Sequence, residues 1–154
     1  MTDRRAIALV LATAIAIPAE GIRQKWYADP IGLPTVCFGH TGNVDKSKRY
    51  SMDECKTLLT QDMTNALNIV DKCQPNLPAP ILAAFTDLTY NAGATAACDT
   101  TKSTAARMLK AKDYAGACEQ LLRWSKARVA GVMVDLPGLV KRRKMERDLC
   151  VSEL

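Results

Sequence analysis

The chain has 154 residues, 48% of them hydrophobic and 24% charged, with a formal net charge of +5 and six cysteines. That length is one ordinary domain, able to bury roughly 70% of its unfolded surface without a metal or a staple. The balance excludes wholesale disorder, a collagen-like fibre and a multi-span membrane protein.

The chain opens with two arginines at Arg4 and Arg5. Ala6 to Ile17 then reads AIALVLATAIAI, with Thr13 its one polar residue. A basic start before a short apolar run is the pattern of an export signal. Twelve residues fall short of the roughly twenty that a spanning helix needs, and the arginines favour a cytoplasmic N-terminus with the remainder outside. Three readings fit: a cleaved signal peptide, a weak uncleaved anchor, or a buried first helix. Ala19 could sit at a cleavage point, but Ile17 matches the small-x-small pattern poorly. Cleavage there would leave Glu20 as the new N-terminus.

Residues 20–44 are rich in Gly, Pro and polar side chains, with turns at Asp29-Pro30, Gly32 and Gly42-Asn43. This predicts a loop and a small hairpin. Ser51-Met-Asp-Glu54 is a capping box. Behind it Cys55, Leu58, Leu59, Met63, Ala66, Leu67 and Val70 recur at three and four, predicting an amphipathic helix to about Cys73. Pro80 suits the first turn of a helix through Ala92, stopped by Gly93, with Ile81, Leu82, Phe85 and Leu88 as its apolar face. Further helices are predicted over about 103–111 and 113–124. Residues 125–136 read as a short helix or an ordered loop, and a last helix runs from Pro137 to about Cys150. The fold class is mainly α, with one small β element near the N-terminus.

The basic residues are scattered apart from Lys141-Arg142-Arg143-Lys144, with Arg147 beyond. Such a run is a solvated helix face or one turned to an anionic ligand. Cys37, Cys55, Cys73, Cys98, Cys118 and Cys150 are never closer than eighteen residues and His40 is the only histidine, so no metal site is expected. An even number of well-separated cysteines points to disulfides and an oxidising compartment; unpaired core thiols are the plainer alternative.

Within the irregular stretch, Glu20, Asp29 and Thr35 bracket a bend. Glycoside hydrolysis uses two carboxyls across a cleft, one to protonate the leaving oxygen and one to activate water or attack. Thr35 could orient the water. Spacing alone makes this weak.

The string Glu20-Gly21, Tyr27-x-Asp29, Gly32-x-x-Thr35 and Gly39-His40 resembles the catalytic segment of the phage-type lysozymes, the endolysin muramidases of glycoside hydrolase family 24. The likeness continues through Asn91-Ala92-Gly93, the stretch 106–124, Pro137-Gly138-Leu139-Val140, Arg142-Arg143-x-x-Glu146 and Leu149-Cys150. It implies an α+β lysozyme-like fold, a small hairpin lobe and a larger helical lobe with the cleft between them. It makes Glu20 the general acid, Asp29 the base and Thr35 the water-positioning partner of an inverting hydrolase without cofactor or metal. Tyr27, Asn91, Arg142 and Arg143 become candidate substrate contacts, and His40 a structural brace. Trp26 could stack on sugars or pack in the core.

One branch of these enzymes carries a signal-anchor-release segment, which residues 1–19 resemble, with 20–154 as the catalytic domain. The implied partners are peptidoglycan and, transiently through residues 6–17, the inner membrane. Nucleic acid is not expected, and the chain is expected to be a monomer released into the periplasm for host lysis. Plausible disulfides are Cys37–Cys55, Cys73–Cys98 and Cys118–Cys150, among fifteen possible connectivities. Pro18 departs from the pattern and should distort the end of the first helix, and the chain between Trp124 and Pro137 is long. A non-catalytic, membrane-tethered wall-binding module is the alternative from another class.

Overall fold

The structure, a computed structural model, describes residues 3–154. Its first element, α1 (Arg4–Glu20), is capped by the Asp3 carboxylate, which accepts from the Arg5 amide. Ala8, Ala12, Ile15 and Ala16 form its buried stripe, turned towards α2 (Met52–Cys73) and α3 (Ala79–Ala92). Alanine at these positions lets the helix backbones approach closely. The opposite stripe leaves Ile7, Val10 and Ile17 exposed.

The N-terminal end of α1 is clasped. Arg4 donates to Asp71 Oδ1 and to the Leu77 carbonyl, each at 2.9 Å, and Arg5 donates to Asp71 Oδ2 at 2.6 Å and to Asn68. Partial burial works against the charge on Asp71, but the two arginine hydrogen bonds outweigh it and hold the carboxyl below its usual range. Helix α1 runs past Pro18 to Glu20. Pro18 lies in the last turn, where its missing N–H forfeits one bond to Ala14. The helix stops at Gly21, whose φ of +66° is open to glycine at little cost. No helix among the described residues is long and apolar enough to cross a membrane.

Strands β1 (Arg23–Ala28) and β2 (Pro34–Cys37) form the small antiparallel hairpin, with Tyr27 opposite Thr35 and a register irregularity between Arg23 and Tyr27. Helix α2 follows, and both arms of its capping box form: the Glu54 amide donates to Ser51 Oγ and the Ser51 amide to Glu54 Oε1, each at 3.0 Å.

Helix α3 is the axis of the larger lobe, packed against α1, α2 and α7 (Pro137–Cys150). Every residue from Pro80 to Thr89 is buried, so it is enclosed on all sides rather than along the one face its periodicity marked. Three short helices follow: α4 (Thr95–Cys98), which the sequence pattern did not reveal, α5 (Thr104–Lys110) and α6 (Tyr114–Gln120). A 3-10 turn over Leu121–Arg123 completes the stretch read as one helix to Trp124.

Residues 125–136 are neither helix nor loop. They form a second hairpin, β3 (Lys126–Val129) with β4 (Val132–Asp135), so the fold has two β elements rather than one. Ala130 and Gly131, at φ +49° and +81°, make the two-residue turn. Positive φ at both central residues gives the twist that two-residue hairpins favour, and Ala-Gly is a weak signal for it.

All six cysteines are bridged, as Cys37–Cys55, Cys73–Cys98 and Cys118–Cys150. The first joins β2 to the start of α2, the second joins the end of α2 to α4, and the third joins α6 to the end of α7. Each is worth roughly 2–4 kcal/mol.

The cap on α2 is separable from the packing behind it. Ser51→Ala should lower the unfolding free energy by about 1 kcal/mol in urea titrations, with an unaltered m-value. An unmoved midpoint would mean that α2 is held by its packing and by Cys37–Cys55 alone.

Candidate active site

Glu20 is the last residue of α1, partly exposed, at the point where the helical lobe meets the hairpin lobe. Its Oε1 accepts from Arg142, and its Oε2 would lie 3.2 Å from a Cβ placed on Gly39. A side chain at Gly39 would therefore crowd the carboxylate, and the φ of +86° there favours glycine as well. Beside it the Tyr90 hydroxyl donates to the Phe38 carbonyl. Burial, and after it the negative charge of Glu20, push the Tyr90 phenol well above its usual range.

Arg142 is fixed from behind. Asp87 on α3, fully buried, accepts from Arg142 Nε and Nη2 at 2.8 Å each. Burial works against the guanidinium charge, but Asp87 and then Glu20 more than restore it, so its pKa is driven further up. A two-point fork fixes both position and plane, so the cation that meets Glu20 is held by a residue that never reaches the surface.

Arg143 points the other way. Its Nη2 donates to Asn91 Oδ1 at 2.7 Å and to Glu146 Oε1 at 2.9 Å, and its Nη1 reaches the Trp124 carbonyl at 3.5 Å. Burial lowers its pKa. Burial pushes the Glu146 carboxyl up to about 10, with a hydrogen bond to Asp87 adding to the effect and Arg143 opposing it. Three carboxyls, Glu20, Asp87 and Glu146, thus meet two guanidiniums, Arg142 and Arg143.

Asp29 sits in the turn of the first hairpin. Its Oδ1 accepts from the Ile31 and Leu33 amides at 2.9 and 2.8 Å, and its own amide donates to the Leu33 carbonyl. Among the described residues Oδ2 has no hydrogen-bond partner. Thr35 is buried in β2 and donates its hydroxyl to the Leu33 carbonyl at 3.0 Å. Leu33 thus ties Asp29 and Thr35 to one loop. No hydrogen bond joins either of them to Glu20.

The other sequence candidates divide. Asn91, in the last turn of α3, is held by Arg143. Tyr27 faces Arg23 and the half-exposed Trp26 faces Lys46, each cation 4.5 Å from a ring centre. His40 bridges to Val36 through both backbone hydrogen bonds and sets Nδ1 2.7 Å from Asp62 Oδ2. Arg142 and Arg143, expected as substrate contacts, are 3% and 0% exposed. Arg143 has no surface left for a ligand, and both arginines serve to hold other side chains. No cluster of three or more metal-ligating side chains occurs among the described residues.

Asp87 and Tyr90 were missed from the sequence. One signal was available for the first: Asp87 is the only charged residue between Ala79 and Ala92, and a lone carboxylate on a helix buried all round requires a partner. Asp87→Ala should cost about 3–5 kcal/mol, because it leaves Arg142 buried with one partner fewer. Asp87→Leu combined with Arg142→Met should recover most of that loss in thermal unfolding. Failure to recover would show that the cluster, rather than the pair, carries the stability.

Comparison with known proteins is consistent with this arrangement. The family model described as "Phage lysozyme" matches residues 18–146. The SAR-endolysin of Bacteriophage PS119 is 39% identical over 134 residues, covering 86% of this chain and 76% of that protein. The SAR-endolysin of Enterobacteria phage P21 is 37% identical, covering 86% and 77%. Among solved structures, the endolysin from Escherichia coli O157:H7 phage FAHEc1 superposes with a TM-score of 0.78 at 26% identity, covering 96% of this chain and 92% of that one. The chain belongs to the phage lysozyme family and is a glycoside hydrolase of the muramidase type.

Proposed function

We propose that the protein hydrolyses the β-1,4 bond between N-acetylmuramic acid and N-acetylglucosamine in peptidoglycan, with inversion, and so lyses the host cell. The observation that carries this reading is the placement of Glu20: a carboxyl at a helix end, over a bare glycine, held by a buried arginine whose own position is fixed. Glu20 is the general acid that protonates the leaving oxygen. Asp29 is the base. Two amides occupy one of its oxygens and orient it, leaving Oδ2 to take a proton from water. Thr35 has its hydroxyl proton committed to Leu33, so towards that water it acts as an acceptor. A water giving one hydrogen to Asp29 and one to Thr35 turns its lone pair on the anomeric carbon. Inversion requires roughly 6.5–9.5 Å between the two carboxyls to admit that water.

Timing comes from α1. One helix cannot lie in lipid and also deliver Glu20 to the cleft, so the tethered enzyme is inactive. The short alanine-rich segment binds hydrocarbon weakly, and on release its alanine stripe packs against α3. The arginines that set the topology then engage Asp71 and Asn68. The similarity to proteins named SAR-endolysins supports this order of events.

Glu20→Gln should slow clearing of purified walls by about 10²–10⁴-fold with the unfolding midpoint nearly unchanged. Wild-type-like clearing by this variant would remove Glu20 from the chemistry. Intact-mass measurement of the exported protein should find residues 1–19 retained. A mature chain beginning at Glu20 would replace release by cleavage.

A further inference from the structure

The second hairpin is an amphipathic ribbon with its polarity inverted. Its register pairs Lys126 with Asp135, Ala127 with Val134, Arg128 with Met133 and Val129 with Val132. Side chains alternate between the two faces of a strand. One face therefore carries Lys126, Arg128, Met133 and Asp135, and the other carries Ala127, Val129, Val132 and Val134. Lys126 and Met133 line a groove of the helical lobe together with Lys102, Gln120 and Trp124. The charged face is thus turned towards the body of the protein and the apolar face away from it. Val129, Val132 and Val134 are 49%, 61% and 36% exposed. An antiparallel pair with one face in water normally turns its polar side out.

Cations flank this apolar face. The Arg128 guanidinium folds over the turn and donates to the Gly131 carbonyl at 3.0 Å, which puts a positive charge at the tip of the ribbon. Strand β4 leads through Leu136 into α7, where Val140, Lys141 and Lys144 fall on one exposed helical face. The carboxylates of these elements that lie outside the buried cluster are already matched. Asp135 accepts from Ser125 at 2.6 Å and pairs with Lys126, and Asp148 accepts from Arg147 at 2.8 Å. The charge left over is positive, so the complementary surface is an anionic one. Three valines and an alanine cannot supply the ~800 Å² per partner that a stable dimer buries. A lipid surface asks for less: shallow burial of a few apolar side chains, with each lysine or arginine at the headgroups strengthening binding about fivefold.

We propose that the β3–β4 ribbon docks on an anionic lipid bilayer, with Val129, Val132 and Val134 in the interface and Arg128, Lys141 and Lys144 on the lipid phosphates. This contact is separate from any made by residues 6–17 and does not depend on the role of Glu20. It holds the folded enzyme at the bilayer surface.

Flotation of the full chain with vesicles tests this. Vesicles of phosphatidylcholine mixed equally with phosphatidylglycerol should carry the chain, and vesicles of phosphatidylcholine alone should carry far less. Val132→Ser should weaken binding to the mixed vesicles about tenfold, as one valine withdrawn from an apolar phase predicts, and Lys144→Ala about fivefold. Both side chains are exposed, so both variants should keep the unmodified unfolding midpoint. Val10→Ser, on the exposed stripe of α1, should leave vesicle binding unchanged. Equal binding to the two kinds of vesicle, binding to neither, or unweakened binding by Val132→Ser overturns the proposal. Loss of binding in Val10→Ser alone overturns it as well, by assigning the contact to α1. So does a dimer in sedimentation that Val132→Ser abolishes, which would give the face to a second copy.

Discussion

The site depends on one buried cation. Arg142 lies between Asp87, which no solvent reaches, and Glu20, which faces the cleft. A guanidinium taken out of water is expensive unless its donors are matched, and here α3 supplies the match with a two-point fork. The consequence is directional. The fully enclosed helix fixes the arginine on α7, and the arginine fixes the terminal side chain of α1. Three helices that are distant in sequence thereby meet at one carboxylate, and its position follows from core packing rather than from a loop.

The same constraint explains why α1 is built as it is. To place Glu20 it must lie against α3, where only small side chains fit, so its inner stripe is Ala8, Ala12 and Ala16 with Ile15. A stripe of alanines is also a poor membrane anchor, since each buries few methylene groups in hydrocarbon. In the proposed release, tight packing in water and weak holding in lipid are therefore one property. The Arg4 and Arg5 clasp adds a polar contribution at the far end, and burial of half of α1 leaves Ile7, Val10 and Ile17 on the outside.

Much of the fold was legible because its signals are local. The Ser51–Glu54 box, the three-and-four repeat of α2 and the Pro80 and Gly93 punctuation each act within a few residues. What escaped was set by tertiary context. Residues 125–136 carry alternating β-branched positions, but Ala130 adopts positive φ only because the paired strands on either side require it. Pro18 lies in the last turn of a helix that runs past it to Glu20, where one lost bond is a small defect beside a buried stripe. Glu20, Asp29 and Thr35 become candidates through motif resemblance, whereas spacing alone leaves them ordinary. Asp87 could be reached only by asking what a lone carboxylate does on a helix that turns out to be enclosed.

The basic run shows how far sequence and surface can differ. Lys141-Arg142-Arg143-Lys144 reads as four adjacent positive charges offered to an anionic partner, yet only Lys141 and Lys144 are exposed. Arg142 and Arg143 are spent inside, against Asp87, Glu20, Asn91 and Glu146. Burial raises the Glu146 carboxyl, with Asp87 adding to the effect and Arg143 opposing it. The motif is therefore an internal brace, and attraction to an anionic wall falls to scattered surface lysines and arginines.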